Sequence, residues 1–252
     1  MLEPIECPGF QAAGMAAGIK KNGAFDLGLI CSSLPAAVAG VFTRNQVQAA
    51  PVLVSKTRVA RGTARAVVVN SGNANCYTGD QGMVDAEAMA SLTAAELNLA
   101  PEDVLVASTG VIGAPLPMDK IASAAPVLAS HISPRGLDAF SRAIMTTDTV
   151  PKLVQRRADI DGRPVTLVAV AKGAGMIRPD MATMLCFVCT DGPHPGTPAS
   201  AESEKCRGSL IEPHHRRWRY QHQRHGSDAG QRSLRCRGAV PGAALHISGA
   251  AE

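Results

Sequence analysis

The segment Lys172-Gly173-Ala174-Gly175-Met176-Ile177-Arg178-Pro179-Asp180-Met181-Ala182-Thr183-Met184-Leu185 constrains this chain more than any other. A β-rich run, Val165 to Ala171, leads straight into Lys172 and two glycines. Glycine tolerates backbone shapes that other residues resist and lets a neighbouring segment approach closely. Pro179-Asp180 marks a second turn, after which Met181 to Cys189 reads as a buried strand. Ala182-Thr183 is thereby placed where a tight loop enters the core.

A Thr at the mouth of a strand is ordinarily structural, and its hydroxyl is a weak nucleophile without an adjacent base. A Thr that begins a chain carries that base itself. Its α-amino group, with a pKa of about 7.7–8.0, is in useful part neutral at working pH. Thr183 is internal, so this chemistry requires the Ala182–Thr183 bond to be cut.

The rest of the chain reads as alternating strands and helices. Asp26 to Cys31 is expected to be a strand, with Ala36 to Phe42 as its partner; Arg65 to Asn70 is a further strand, and Val104 to Gly113 is another that runs into a Gly-containing turn. Helices are expected over Gly82–Leu97, capped by Asp80, over Pro117–Ile132 with an interruption at Pro126, and over Gly136–Met145. The small residues of Gly9 to Lys21 suggest close backbone packing more than chemistry. Ser71-Gly72-Asn73-Ala74-Asn75, after a strand, is either an Asn/Gly turn or a site. Consecutive N–H groups at Thr109-Gly110 could face an oxyanion, or this could be a plain strand end.

The wording of several segments points further. Lys172 to Leu185, Gly40-Val41-Phe42-Thr43-Arg44-Asn45, Val69-Asn70-Ser71-Gly72-Asn73-Ala74-Asn75 and Thr146-Thr147-Asp148-Thr149 resemble the ornithine acetyltransferase / N-acetylglutamate synthase family of arginine biosynthesis, over residues 8–191. The resemblance implies an α/β fold, an α-β-β-α sandwich of the self-processing type, incomplete in this chain. It implies scission between Ala182 and Thr183, giving an α-chain region over 1–182 and the start of a β-chain over 183–191. Thr183 is then the nucleophile, Thr109 and Gly110 the oxyanion hole, and Thr146, Lys172 and Thr183 the substrate contacts, with Thr147 as the nearest competitor of Thr146. The implied cycle is ping-pong: acetyl passes from N2-acetyl-L-ornithine to Thr183 and then to L-glutamate. No cofactor or metal is implied, although acetyl-CoA is a possible co-substrate. The cleaved α and β chains are expected to assemble as a heterotetramer. Two alternatives stand beside this reading: a self-processed aminopeptidase or amidase, which delivers the acyl group to water, and an inactive fragment of the acetyltransferase.

After Asp191 the character changes. Residues 193–252 hold six of the seven His, the only Trp, and six Val, Ile, Leu, Met or Phe in sixty residues. That is below the roughly 20% needed to build a core. They also carry 9 Lys and Arg against 5 Asp and Glu, which accounts for the whole net charge of +4 and leaves residues 1–192 balanced. A nucleic-acid role is therefore not expected of the body, and Arg216-Arg217-Trp218-Arg219-Tyr220 is an accident of composition on this reading. A coding sequence for Pro213–Gly226, read one nucleotide on, yields Arg-Ile-Thr-Val-Asp-Gly-Asp-Thr-Ser-Thr-Asn-Asp-Thr, a segment the family carries downstream of its nucleophile. The expectation is a frameshift shortly after Asp191 and a disordered tail over 192–252, so that the family's downstream Glu, Asn and Thr contacts have no counterpart here. Sequencing the coding DNA tests this.

Seven Cys without framework spacing suit a reduced compartment. Cys186-x-x-Cys189 with Cys206 and the His-rich tail weakly resembles scattered zinc ligands. Met1 to Glu6 lacks the basic start and apolar run of a signal peptide, and no apolar run is long enough to span a bilayer. A cytoplasmic location without membrane contact is the expectation.

Overall fold

Two parallel strands buried on both faces set the layering. In a computed structural model of the chain, β3 (Thr63–Asn73) and β4 (Val104–Val111) run side by side near one end of the sheet. The structure describes residues 4–160, 162–174 and 184–192, and the backbone of 244–249. Because side chains alternate across a strand, Ala66, Val68, Val104 and Val106 face one way and Val67, Val69, Leu105 and Ala107 the other. The first set packs under α1 (Ala50–Val59), α2 (Gly79–Leu97) and α3 (Met118–Ser130), through Val54, Met89, Ala90, Ile121 and Leu128. The second set shares a core with Val168 and Val170 of β6 (Arg163–Lys172) and with Phe187 and Cys189 of β7 (Leu185–Thr190). The layers are thus helices, sheet, then sheet.

β1 (Phe10–Met15) pairs antiparallel with β2 (Leu27–Phe42), and β5 (Lys152–Ile160) antiparallel with β6. The two sheet layers are the arms of one eight-stranded sheet, ordered β4-β3-β2-β8-β7-β6-β5 with β1 beside β2, and β8 (Ala244–Gly249) joins the arms, parallel to β2 and antiparallel to β7. Residues 244–249 lie within the tail expected to be disordered, and they form a strand instead; main-chain pairing supplies this without demanding a particular side-chain pattern. α4 (Leu137–Ala143) lies on the inner side of β1 and β2, where Gly14 and Gly28 leave room for it. A Cβ at Gly14 would come within 2.2 Å of the Ala139 carbonyl oxygen, and one at Gly28 within 2.8 Å of the Phe140 ring. The small residues of the first segment therefore serve close packing, as their composition suggests.

The expected pair Asp26–Cys31 and Ala36–Phe42 is one strand, β2, and the two halves do not pair with each other. The intervening Ser32-Ser33-Leu34-Pro35 is no turn, because the residue before Pro is driven to extended backbone. It bulges instead: the register against β3 shifts between Cys31 and Ala36, and Arg65 donates from Nε to the Ser32 carbonyl and from Nη2 to that of Ser33, both at 3.1 Å. α2 starts at Gly79, ahead of Asp80, and α3 runs through Pro126 without a break. The outer face of the β5–β6–β7 sheet carries Val154 and Leu167, 47% and 41% exposed, so three of the four expected layers are present among the described residues.

Phe140 and Phe187, both fully buried, meet edge to face with centroids 5.3 Å apart and join α4 to the second sheet. Phe187→Ala is expected to cost about 3–5 kcal/mol, read as a lowered denaturant midpoint. Leu167→Ala, on the outer face, should stay within about 0.5 kcal/mol of the parent.

Candidate active site

The same alternation that builds the core carries three polar residues to its rim. Beyond Leu105 and Ala107 the next inward residue of β4 is Thr109, beyond Val67 and Val69 that of β3 is Ser71, and beyond Val168 and Val170 that of β6 is Lys172. All three are buried: Ser71 is fully enclosed, Lys172 3% exposed and Thr109 7%. The Lys172 ammonium donates to Thr109 Oγ1 at 2.9 Å, bridging the two sheets. Ser71 Oγ donates to the Ala143 carbonyl and so ties β3 to the end of α4. Burial lowers the Lys172 pKa, Asp148 opposes that shift, and the nearby Lys152 and Lys20 reinforce it.

Gly110 follows Thr109 with a φ of +139°, exposed at the rim. A Cβ there would lie 2.3 Å from the backbone of Gly72, so the strand ends of β3 and β4 are in contact and both positions need glycine. Beneath them is an amide network. Asn70 accepts from Ser108 Oγ at 2.5 Å and donates to the Asn73 carbonyl at 2.8 Å; Asn73 donates to the carbonyls of Ala114 and Pro115 and accepts from the Asn75 N–H. Asn75, at a φ of +44°, donates to the Gly82 carbonyl and accepts from Thr78 Oγ1. The Asn-rich stretch left open between turn and site is thus a buried scaffold that supports the Thr109–Gly110 corner.

The Thr146 loop joins this rim through Asp148, whose side chain is 1% exposed. Its Oδ1 accepts from the Gly173 N–H at 2.8 Å and from the Lys152 ammonium, and its Oδ2 accepts from the Thr146 N–H at 3.3 Å. Burial alone would raise the pKa of this carboxyl, but those hydrogen bonds and the Lys152 charge outweigh it and hold it below the ordinary value. Thr146 is half-buried; Thr147 is exposed and donates to the Ala174 carbonyl at 3.5 Å. Lys20 is a further cation here, placed by the buried Asp26 carboxylate, which accepts from the N–H groups of Ala17 (2.6 Å) and Lys20 (2.8 Å). Thr109, Gly110, Lys172 and the Thr146 loop are therefore brought together. Ala182 and Thr183 lie outside the described residues. Met184, the next residue along, lies beside Gly173, whose added Cβ would meet the Met184 Cα at 3.8 Å. Asp148 and Lys20 carry no role in the sequence reading. The one signal for Asp148 is its place inside the quoted Thr146-Thr147-Asp148-Thr149, and for Lys20 there is none.

Cys186 and Cys189 are an odd number of residues apart on β7, so their thiols point to opposite faces and cannot share one ion. Among the described residues no group of three His, Cys, Asp or Glu is placed to hold a metal, and no helix is long and apolar enough to cross a membrane.

The ArgJ family profile matches residues 11–201. The arginine biosynthesis bifunctional protein ArgJ of Geobacter sulfurreducens is 54% identical over 183 residues, which cover 73% of this chain and 47% of that protein. The chain thus spans about half the length of the curated relatives it matches. Two solved structures share the fold at 42% identity. The arginine biosynthesis bifunctional protein ArgJ from Bacillus halodurans has a TM-score of 0.64, with 69% of this chain and 91% of that one covered. The ornithine acetyltransferase of Mycobacterium tuberculosis, complexed with ornithine, has a TM-score of 0.61, with 69% and 92% covered.

Two outcomes test this geometry. Gly110→Ala is expected to lower the unfolding midpoint well beyond Gly113→Ala, because Gly113 has a positive φ but open space around it, where the cost is about 1–2 kcal/mol. Asp148 has a folded pKa below its unfolded value, so its stabilisation is present above the unfolded value and lost as pH falls through the folded one. Stability followed by chemical denaturation should therefore decline below about pH 4, and Asp148→Asn should flatten that limb while lowering the plateau.

Proposed function

Because this chain belongs to the ArgJ family, we propose that it carries the acetyl-transfer half-site of a glutamate N-acetyltransferase acting in arginine biosynthesis. Thr183, released as an N-terminal residue by scission of the Ala182–Thr183 bond, attacks the acetyl carbonyl of N2-acetyl-L-ornithine, its own α-amine taking the hydroxyl proton. Backbone N–H groups at Thr109 and Gly110 stabilise the tetrahedral oxyanion. The C–N bond to the ornithine amine breaks, the proton passes to the leaving amine, and the acetyl ester on Thr183 remains. L-Glutamate then attacks that ester through its amine, giving N-acetylglutamate and free Thr183. Lys172 pairs with the substrate carboxylate, and Thr146 supplies a hydroxyl contact. Acetyl-CoA is a second possible acetyl donor, no cofactor is needed, and the cleaved α and β chains assemble as a heterotetramer in the cytoplasm.

The observation that carries this reading is the Lys172–Thr109 contact at the rim, with Gly110 beside it and the start of β7 adjoining Gly173. An ammonium suited to the carboxylate and a strand end suited to the oxyanion meet at this rim, and Met184 lies against the adjoining Gly173.

Intact-mass measurement of the purified chain tests the proposal. Two fragments meeting at Ala182/Thr183 are expected, and Thr183→Ala should leave one uncut chain that transfers no acetyl group. Acetyl transfer by an uncut chain overturns the mechanism, and release of free acetate in place of N-acetylglutamate favours the hydrolase alternative.

A further inference from the structure

One peptide unit at the rim is held from both sides by opposite charges. The Met145 carbonyl accepts from the Lys20 ammonium at 2.7 Å, and the N–H of the same peptide, on Thr146, donates to the Asp148 carboxylate at 3.3 Å. The two residues reach it from far apart in the chain, Lys20 from the loop after β1 and Asp148 from the loop after α4. Each is itself fixed. Lys20 also donates to the Phe25 carbonyl at 2.6 Å, its backbone N–H is held by buried Asp26, and its stem crosses Gly72, where a Cβ would lie 3.1 Å from Lys20 Cγ. Asp148 is anchored by the Lys152 ammonium and the Gly173 N–H. A peptide plane gripped at both its carbonyl and its N–H has lost the rotation that would swing the following side chain.

We propose that Lys20 and Asp148 are a pair of positioning residues that clamp the Met145–Thr146 peptide and thereby aim the Thr146 hydroxyl at the substrate. The clamp rests on the acetyl-transfer reading for its consequence, but not for its geometry. Hydrogen bonds to charged groups are worth enough that releasing one of them shifts binding about ten- to a hundredfold. Because the two charges act on one peptide, losing either frees it, and losing the second adds little.

Lys20→Met, Lys20→Arg, Asp148→Asn and the Lys20→Met/Asp148→Asn double variant test this. Amide hydrogen exchange, read by NMR on the full chain, should speed up at Thr146 by at least about tenfold in Lys20→Met, with β3 amides unchanged and protection restored in Lys20→Arg. In acetyl transfer, KM for N2-acetyl-L-ornithine should rise by a similar factor in Lys20→Met with kcat little changed, and Lys20→Met should add little in the Asp148→Asn background, where Lys172 has also lost its carboxylate neighbour. A structural lysine would alter stability without this split. Wild-type exchange at Thr146 in Lys20→Met, or single effects that multiply in the double variant, overturns the clamp. Failure of the parent chain to transfer acetyl overturns the reading in the previous subsection, and the exchange measurement still decides the clamp.

Discussion

A buried ammonium must be answered by fixed acceptors, and that requirement at Lys172 governs the arrangement around it. Removing a lysine charge from water costs several kcal/mol unless it is paired and hydrogen-bonded. Lys172 meets the requirement with Thr109 Oγ1 across the sandwich, within the field of Asp148. That contact is possible only if β4 and β6 present their inward residues at the same level of the core. The register Lys172↔Leu185 then fixes where β7 begins. Core packing and site geometry are one consequence of one alternation.

Around Lys172 the charges are unequal. Lys20, Lys152 and Lys172 approach a single buried carboxylate, Asp148, while Asp26 is occupied by the N–H groups of Ala17 and Lys20. The excess is positive and partly shielded from water, where Coulombic attraction is stronger than in bulk. Such a rim favours a carboxylate-bearing ligand, in accord with the amino-acid substrates proposed above. The glycine pair Gly72–Gly110 and the Asn70–Asn75 network spend their conformational freedom on holding the adjacent strand ends together.

Much of this was legible in the residues, and the exceptions have physical reasons. β3 and β4 are continuous Val-rich apolar runs, the signature of strands buried on both faces, while β6 reads as a strand although its outer face leaves Leu167 exposed. Thr109, Gly110 and Lys172 are singled out by the family resemblance alone; what the structure adds is the hydrogen bond from Lys172 to Thr109, with Gly110 next in the chain. β5 carries no strand signature in its sequence because it is an edge strand written in Lys, Arg and Asp, the composition that protects edges. β2 reads as two strands because the apolar run is interrupted between Cys31 and Ala36, whereas Arg65 satisfies the bulged carbonyls there from the neighbouring strand. Lys20 was invisible: its partner Met145 is 125 residues away, and nothing local distinguishes it from the exposed Lys21 beside it. The tail read as unable to build a core, yet 244–249 enters the sheet through its backbone, which composition does not register.

The most direct test is to incubate the purified chain with N2-acetyl-L-ornithine in the absence of L-glutamate and weigh the intact products. The account requires the fragment that begins at Thr183 to gain the mass of one acetyl group, and to lose it when glutamate is added. Release of ornithine with no fragment ever carrying the acetyl group would contradict it.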